Sequence, residues 1–142
     1  MRISAKTKYG IIAILDIALH SEDGKGITAG EISGRNNLSI QYLQQVLAGL
    51  CQGRIISSNR GFGGGYRLTK PAGSIYLSDI IPLFDSNLCR TYADDNGGSS
   101  TIENFLEKAL WEKFDDVIED FTEHMSMADL IREYTKASGA SG

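Results

Sequence analysis

Residues 28–69 read TAGEISGRNNLSIQYLQQVLAGLCQGRIISSNRGFGGGYRLT. Thr28 and Glu31 have the spacing of a capping box, in which the hydroxyl accepts the backbone N–H three residues on and the carboxylate reaches back. A short helix of about two turns is expected after it, weakened by Gly30 and Gly34, each costing about 1 kcal/mol relative to Ala. Asn36-Asn37-Leu38 makes a turn, and Ser39 caps a second helix over 40–52. Leu43, Val46, Leu47 and Leu50 fall at the i, i+3, i+4, i+7 spacing of a core-facing stripe. Its other side carries Gln41, Tyr42, Gln44, Gln45 and Gln52 and no charge. Gly53 is expected to end the helix in the left-handed manner of a C′ glycine. Ile55–Arg60 and Tyr66–Thr69 then read as two strands of a hairpin around the glycine-rich tip 61–65.

Upstream, Ser4 caps a helix over 4–20 with a broad apolar face that includes Ile11, Ile14, Leu15 and Ile17. SEDGKG at 21–26 is a polar turn. Downstream, Pro71 closes the hairpin, Ile75–Leu77 is a candidate short strand, and Ser78 is expected to cap a helix through Phe84 with Pro82 near its start. Residues 86–100 (SNLCRTYADDNGGSS) form a long polar loop, of a length usually kept for function or motion. Ser100 and Glu103 make another capping box ahead of the longest helix, 101–125. Its apolar positions, among them Ile102, Phe105, Leu110, Phe114, Val117 and Phe121, outrun what a small domain can cover. Two copies packed across a two-fold axis would bury them. Ser126 starts a last short helix, and the tail SGASG is expected to be disordered.

Helix, helix, helix, glycine-tipped hairpin is the order of a winged helix-turn-helix, mainly α with a small β-hairpin. In that architecture the second helix of the turn motif enters the DNA major groove and the wing touches the flanking backbone. Gln can hydrogen-bond adenine bidentately and Ser can bond either partner. A solvated helix face is the alternative, but such faces usually carry Lys and Glu. Gln41, Tyr42, Gln44 and Gln45 are therefore the candidate base readers, and Lys6, Lys8, Ser39 and Arg60 the candidate phosphate or minor-groove contacts. Gly61, Gly63 and Gly64 would let backbone N–H groups approach phosphate without a Cβ in the way. A plain hairpin turn is the other reading of these glycines. A nucleotide-binding glycine loop fails on context, because strands flank it on both sides and no Lys-Ser/Thr follows.

The chain has 142 residues, a net charge of −4, and 42 % apolar and 23 % charged residues, an ordinary globular balance. The charge is uneven. Residues 1–80 hold nine Lys/Arg against five Asp/Glu, and residues 81–142 hold five against thirteen. A weakly basic first half can approach phosphate and an acidic second half is repelled by it. No apolar run reaches the ~20 residues of a membrane span, no leader cleavage pattern is visible, and Cys51 and Cys89 cannot make a disulfide framework or a four-ligand zinc site alone. A cytoplasmic location is expected. His20 and His124 lie far apart in sequence, and no catalytic constellation appears, so an enzyme is not expected.

These residues resemble the family of winged-helix transcription regulators that includes IscR, NsrR, RirA and CymR. The opening MRISAKTKYGIIAILDIAL resembles the family's first helix, LSIQYLQQVLAGL its recognition helix, and Arg60-Gly61-Phe62-Gly63-Gly64-Gly65-Tyr66 the core of its wing. The resemblance is strong over 1–85 and implies a homodimeric regulator of a roughly palindromic operator on double-stranded DNA. It divides the chain into a DNA-binding domain (1–85), a sensor-type loop (86–100), a dimerisation helix with a short terminal helix (101–135) and a tail (136–142). Many members hold an iron–sulfur cluster with three cysteines in the loop before the long helix. Here that loop has only Cys89, and Asp94, Asp95 and Asn96 are poor ligands for a soft metal. A rarer arrangement draws Glu and His from the first helix and the helix-turn-helix, where this chain has Lys8, Ile12 and Ser33. The expectation is a repressor without a cofactor, with Cys89, beside Arg90, as a candidate redox-responsive thiol. Alternatives are a winged-helix module that docks a protein partner such as a metabolic enzyme, and an atypical iron–sulfur sensor.

Overall fold

Ser4 opens the first helix, α1 (Ala5–His20), with its side-chain oxygen accepting the Thr7 N–H at 3.3 Å. The computed structural model describes residues 3–21, 24–61, 63–85 and 101–139. The capping box of α2 (Ala29–Asn36) forms as its spacing requires: Glu31 N–H donates to Thr28 Oγ1 at 3.1 Å and Thr28 N–H to Glu31 Oε2 at 2.9 Å. Asn37 ends α2 in the left-handed region, φ 54°, which asparagine tolerates better than most residues. Ser39 then caps α3 (Ile40–Gln52) through the Tyr42 N–H.

The end of α3 departs from expectation. Gly53 is right-handed, and the left-handed residue is Arg54, φ 62°. Arg54 N–H donates to Cys51 O and Ile55 N–H to Leu50 O, both at 3.0 Å. This is the paired closure of a Schellman motif, with Arg54 at the position usually given to glycine. Gly53 is small for another reason: a Cβ there would lie 2.7 Å from the Leu83 methyls.

The hairpin pairs β1 (Ile56–Asn59) with β2 (Gly65–Leu68), antiparallel, from Ile56 opposite Leu68 to Asn59 opposite Gly65. A third segment, absent from the sequence reading, joins the hairpin through one bridge, Ile27 to Tyr66, with two backbone hydrogen bonds of 3.0 and 2.8 Å. It is possible because Gly26 and Gly65 touch backbone to backbone. A Cβ on either would sit 2.8 Å from main-chain atoms of the other segment.

After a 3-10 turn at Ala72–Ser74, the predicted strand at 75–77 reduces to one bridge, Tyr76 opposite Ser126. The cap of α4 (Leu77–Phe84) falls at Tyr76, whose N–H donates to Asp79 Oδ2 at 2.9 Å, and not at Ser78. Pro82 therefore sits inside the helix, where the N–H it lacks would have bonded Ser78 O. The long helix is broken into α5 (Thr101–Leu106), a π turn (Glu107–Trp111) and α6 (Glu112–His124). The expected capping Ser100 lies outside the described residues. α7 (Met127–Gly139) is capped by Ser126 and Asp129 reciprocally and continues into the segment read as tail.

One core serves all the elements of the first half. Ala13, Ile14 and Ile17 of α1, Ile32 of α2, Leu43, Val46, Leu47 and Leu50 of α3, and Ile56, Ile75 and Ile80 are buried together, with Met127 of α7 joining them. Each such Ile or Leu contributes roughly 1.5–3 kcal/mol. Phe84 drives into the space between α1 and α3, where Cβ atoms on Gly10 and Gly49 would come within 3.1 and 2.7 Å of its ring.

Two carboxylates lock the helices in place. Asp85 Oδ2 accepts from Ser4 N–H at 3.2 Å, Ser4 Oγ at 3.0 Å and Thr7 Oγ1 at 2.5 Å, which ties the end of α4 to the start of α1. Asp16 is buried on α1 and accepts from Arg35 Nε (3.1 Å), Arg35 Nη2 (2.6 Å) and Asn36 Nδ2 (2.9 Å) of α2. Burial works to raise its pKa, but the Arg35 and Asn36 hydrogen bonds outweigh it and hold the carboxyl below the usual carboxylate range. The stability it contributes is therefore present at neutral pH and lost as pH falls through that depressed value. Arg35→Ala leaves the buried charge short of its main partner and should cost about 3 kcal/mol. Thermal melts across an acid pH series should show the gap in melting temperature between the native chain and the variant narrowing as pH falls, because protonation of Asp16 removes the native chain's advantage.

Candidate nucleic-acid interface

The buried stripe of α3 decides what its other face presents. With Leu43, Val46, Leu47 and Leu50 fully buried, Gln41, Gln44, Gln45, Ala48 and Gln52 are all exposed along one side. The four glutamines among them are long, uncharged and carry paired donors and acceptors. They stand on a helix whose back is fixed by the core, so their positions are set by packing and not by loop conformation.

Tyr42 is different. The sequence reading groups it with the glutamines, but its ring is half-buried and meets Tyr9 edge-on, with centroids 4.8 Å apart and planes at 87°. The contact joins the N-terminal parts of α1 and α3. Lys6 and Lys8 on α1 and Ser39 before α3 are all exposed. The Ser39 hydroxyl is itself engaged as the helix cap, which leaves its exposure but not its whole hydrogen-bonding capacity for a ligand.

The wing divides its glycines between two jobs. Gly61 and Gly63 take φ of 97° and 75° with open space where a side chain would go, so they serve backbone shape at an exposed tip. Gly64 is locked inside the turn. Its N–H donates to Gly61 O at 2.9 Å, and a Cβ would lie 2.4 Å from Asn59 O. That amide is spent within the hairpin, so the phosphate-facing role read for Gly64 from sequence has no free N–H behind it. Arg60 is exposed at the start of the tip. Arg67, which the sequence reading passed over, is tied down by Nε to Gly24 O at 2.6 Å and Nη2 to Gly63 O at 3.3 Å. It fixes the wing to the turn after α1. Its alternation with Tyr66 along β2 is the only sequence signal that could have marked it.

Cys51 is half-buried at the end of α3, and burial pushes its thiol up, with a hydrogen bond to Ser58 partly opposing. A raised thiol is a poor nucleophile and a poor metal ligand at neutral pH. Cys89 lies outside the described residues. A cluster held by three cysteines of one chain does not fit this donor set, because the sequence has two cysteines and one of them packs against the core. Among the described residues no group of three His, Cys, Asp or Glu is arranged to hold a metal ion. No helix among them is long and apolar enough to cross a membrane.

Comparison with known proteins bears on this arrangement. The family model Rrf2, described as an iron-dependent transcriptional regulator, matches residues 3–133. The HTH-type transcriptional regulator IscR of Enterobacter sp. (strain 638) is 35 % identical over 131 residues, covering 92 % of this chain and 80 % of that one. Among solved structures, CymR (YrzC), the global cysteine regulator of B. subtilis, superposes with a TM-score of 0.80 at 24 % identity, covering 94 % of this chain and 98 % of that one. T. potens IscR gives a TM-score of 0.76 at 28 % identity, covering 97 % and 91 %. The winged helix-turn-helix with a long C-terminal helix is thus the shared architecture, and the chain belongs to the Rrf2 family of transcriptional regulators.

Proposed function

We propose that the chain is a sequence-specific DNA-binding transcription regulator, acting as a homodimer in the cytoplasm and repressing by occupancy of its operator. The observation that carries this reading is the uncharged Gln41/Gln44/Gln45 face of α3, exposed and held rigid from behind, beside a wing with Arg60 at its tip. In this reading residues 1–85 form the DNA-binding domain. The glutamines read base edges in the major groove, while Lys6, Lys8, Ser39, Arg60, Gly61 and Gly63 meet phosphates or the minor groove. Tyr42 serves by bracing α3 on Tyr9.

Residues 101–135 carry the pairing surface. Ile102, Phe105, Leu110, Phe114, Val117 and Phe121 are 39–71 % exposed, an apolar stripe unusual for a free surface. The step from Phe105 to Leu110 is five residues, which would carry a straight α-helix 140° off the stripe. The π turn at 107–111 absorbs the extra residue and keeps the stripe on one face. A second copy laid antiparallel on it buries both stripes and sets two recognition helices on one duplex. The thiol-sensing part of the reading stays with Cys89. Oxidation there would alter the dimer and its DNA affinity.

Selection of bound duplexes from a random pool, followed by affinity measurement at two salt concentrations, tests the reading. A salt-sensitive complex with a two-fold sequence preference is expected, and no salt-sensitive duplex binding would overturn it. Arg60→Ala should weaken all sequences alike and reduce the salt slope by about one, whereas Gln44→Ala should relax preference at one base pair by about 1–3 kcal/mol. Sedimentation should show the native chain as a dimer and Phe114→Glu as a folded monomer with much weaker operator binding. Equal loss of DNA affinity on mild peroxide in the native chain and in Cys89→Ser would remove Cys89 from the account.

A further inference from the structure

Away from the glutamine face lies a cleft that the proposed function does not use. Ile12, Leu15 and Leu19 of α1 face Ile131 and Tyr134 of α7 across a cavity of about 350 Å³, within the size range of small-molecule sites. The rest of its lining is polar and comes from the α1–α2 lock. Asp16 is already spent on Arg35 and Asn36. His20 Nδ1 lies 2.9 Å from the Asp16 carbonyl oxygen, which only accepts, so this nitrogen carries the proton and the other ring nitrogen is left for a ligand. Arg35 keeps 36 % of its side chain exposed. Its planar fork holds five N–H donors, more than Asp16 takes. The cavity thus combines an apolar wall with an arginine that is ion-paired to Asp16 and has N–H donors beyond the two that Asp16 takes. That pairing suits a molecule with an apolar body and a carboxylate, which an arginine fork binds with two parallel hydrogen bonds.

The position of the cleft gives it leverage. It touches α1, α2 and α7, and Asn37 at the end of α2 sets the turn that launches α3. We infer that this cleft is a binding site for a small organic acid, with its apolar body on Ile12, Leu15 and Ile131 and its carboxylate on Arg35, and that occupancy adjusts duplex affinity by changing how α2 is seated. The regulatory clause rests on the proposed function; the binding clause does not.

Titration calorimetry of the full chain with phenylacetate, with octanoate and with the neutral phenylacetamide separates the two clauses. Saturable binding of at least one acid is expected, with the amide at least about tenfold weaker. Ile131→Trp fills the cavity and should abolish binding. Tyr134→Trp, at a rim position 55 % exposed and so harmless to the fold, should weaken it even if the first variant fails to fold. The bound acid should change the affinity of the native chain for its selected duplex by about tenfold, and not that of the variants. No saturable heat with either acid up to about 1 mM, equal binding of acid and amide, or unchanged binding in both variants would overturn the site. If Ile131→Trp instead changes the oligomeric state, the cleft is an interface between copies and the inference fails. Heat without any change in duplex affinity overturns the regulatory clause alone. Failure to bind duplex in the absence of any acid counts against the proposed function and leaves the calorimetry readable.

Discussion

The contact between the Asp16 carboxylate on α1 and the Arg35 and Asn36 side chains on α2 governs how the first half of the chain is arranged. α2 is only two turns long and carries two glycines, so its own helix propensity cannot hold it. One buried apolar residue, Ile32, glues it to the core, and the carboxylate fixes its rotation. A buried charge with three good hydrogen bonds has few alternative poses, because any slippage strands the charge away from water. The α3 axis follows from that rotation through the Asn37–Ser39 turn, and the direction of the glutamine face follows from the axis.

The readable part of this fold is the part written in local chemistry. Ser4, Thr28/Glu31 and Ser39 announce helix starts because a cap is made between neighbours in sequence. The stripe from Leu43 to Leu50 announces its own burial. The features that escaped are made by residues distant in sequence. Gly26 is small because Gly65 passes against it, and Gly53 because Leu83 does, and nothing near either glycine says so. The cap of α4 moved from Ser78 to Tyr76 because the Tyr76–Ser126 bridge fixes the chain entering the helix.

The same division runs through the candidate interface. The glutamines, Arg60 and the tip glycines were legible from residue type and spacing. The Tyr42 contact was hidden because helical periodicity cannot report that Tyr9, thirty-three positions away, stands beside it. Arg67 went unnoticed because its partners are backbone oxygens at Gly24 and Gly63, which carry no sequence signature. The π turn in the long helix was hidden as well. Only the exposed members of the stripe step by five residues there, and in the sequence Leu106 and Ala109 carry the three-four spacing straight through.

The closure at Leu50–Ile55 has a consequence for any duplex this molecule grips. Ile55 leaves the Schellman motif and enters β1 at the next residue, so no slack separates the reading helix from the hairpin. The two behave as the jaws of a caliper with a welded hinge. With α3 in the groove and the hairpin on the flanking strand, as proposed above, a gap that varies from one stretch of DNA to another would have to be met by bending of the nucleic acid. Stiffness of the target would then be selected alongside its bases, at positions no side chain ever touches.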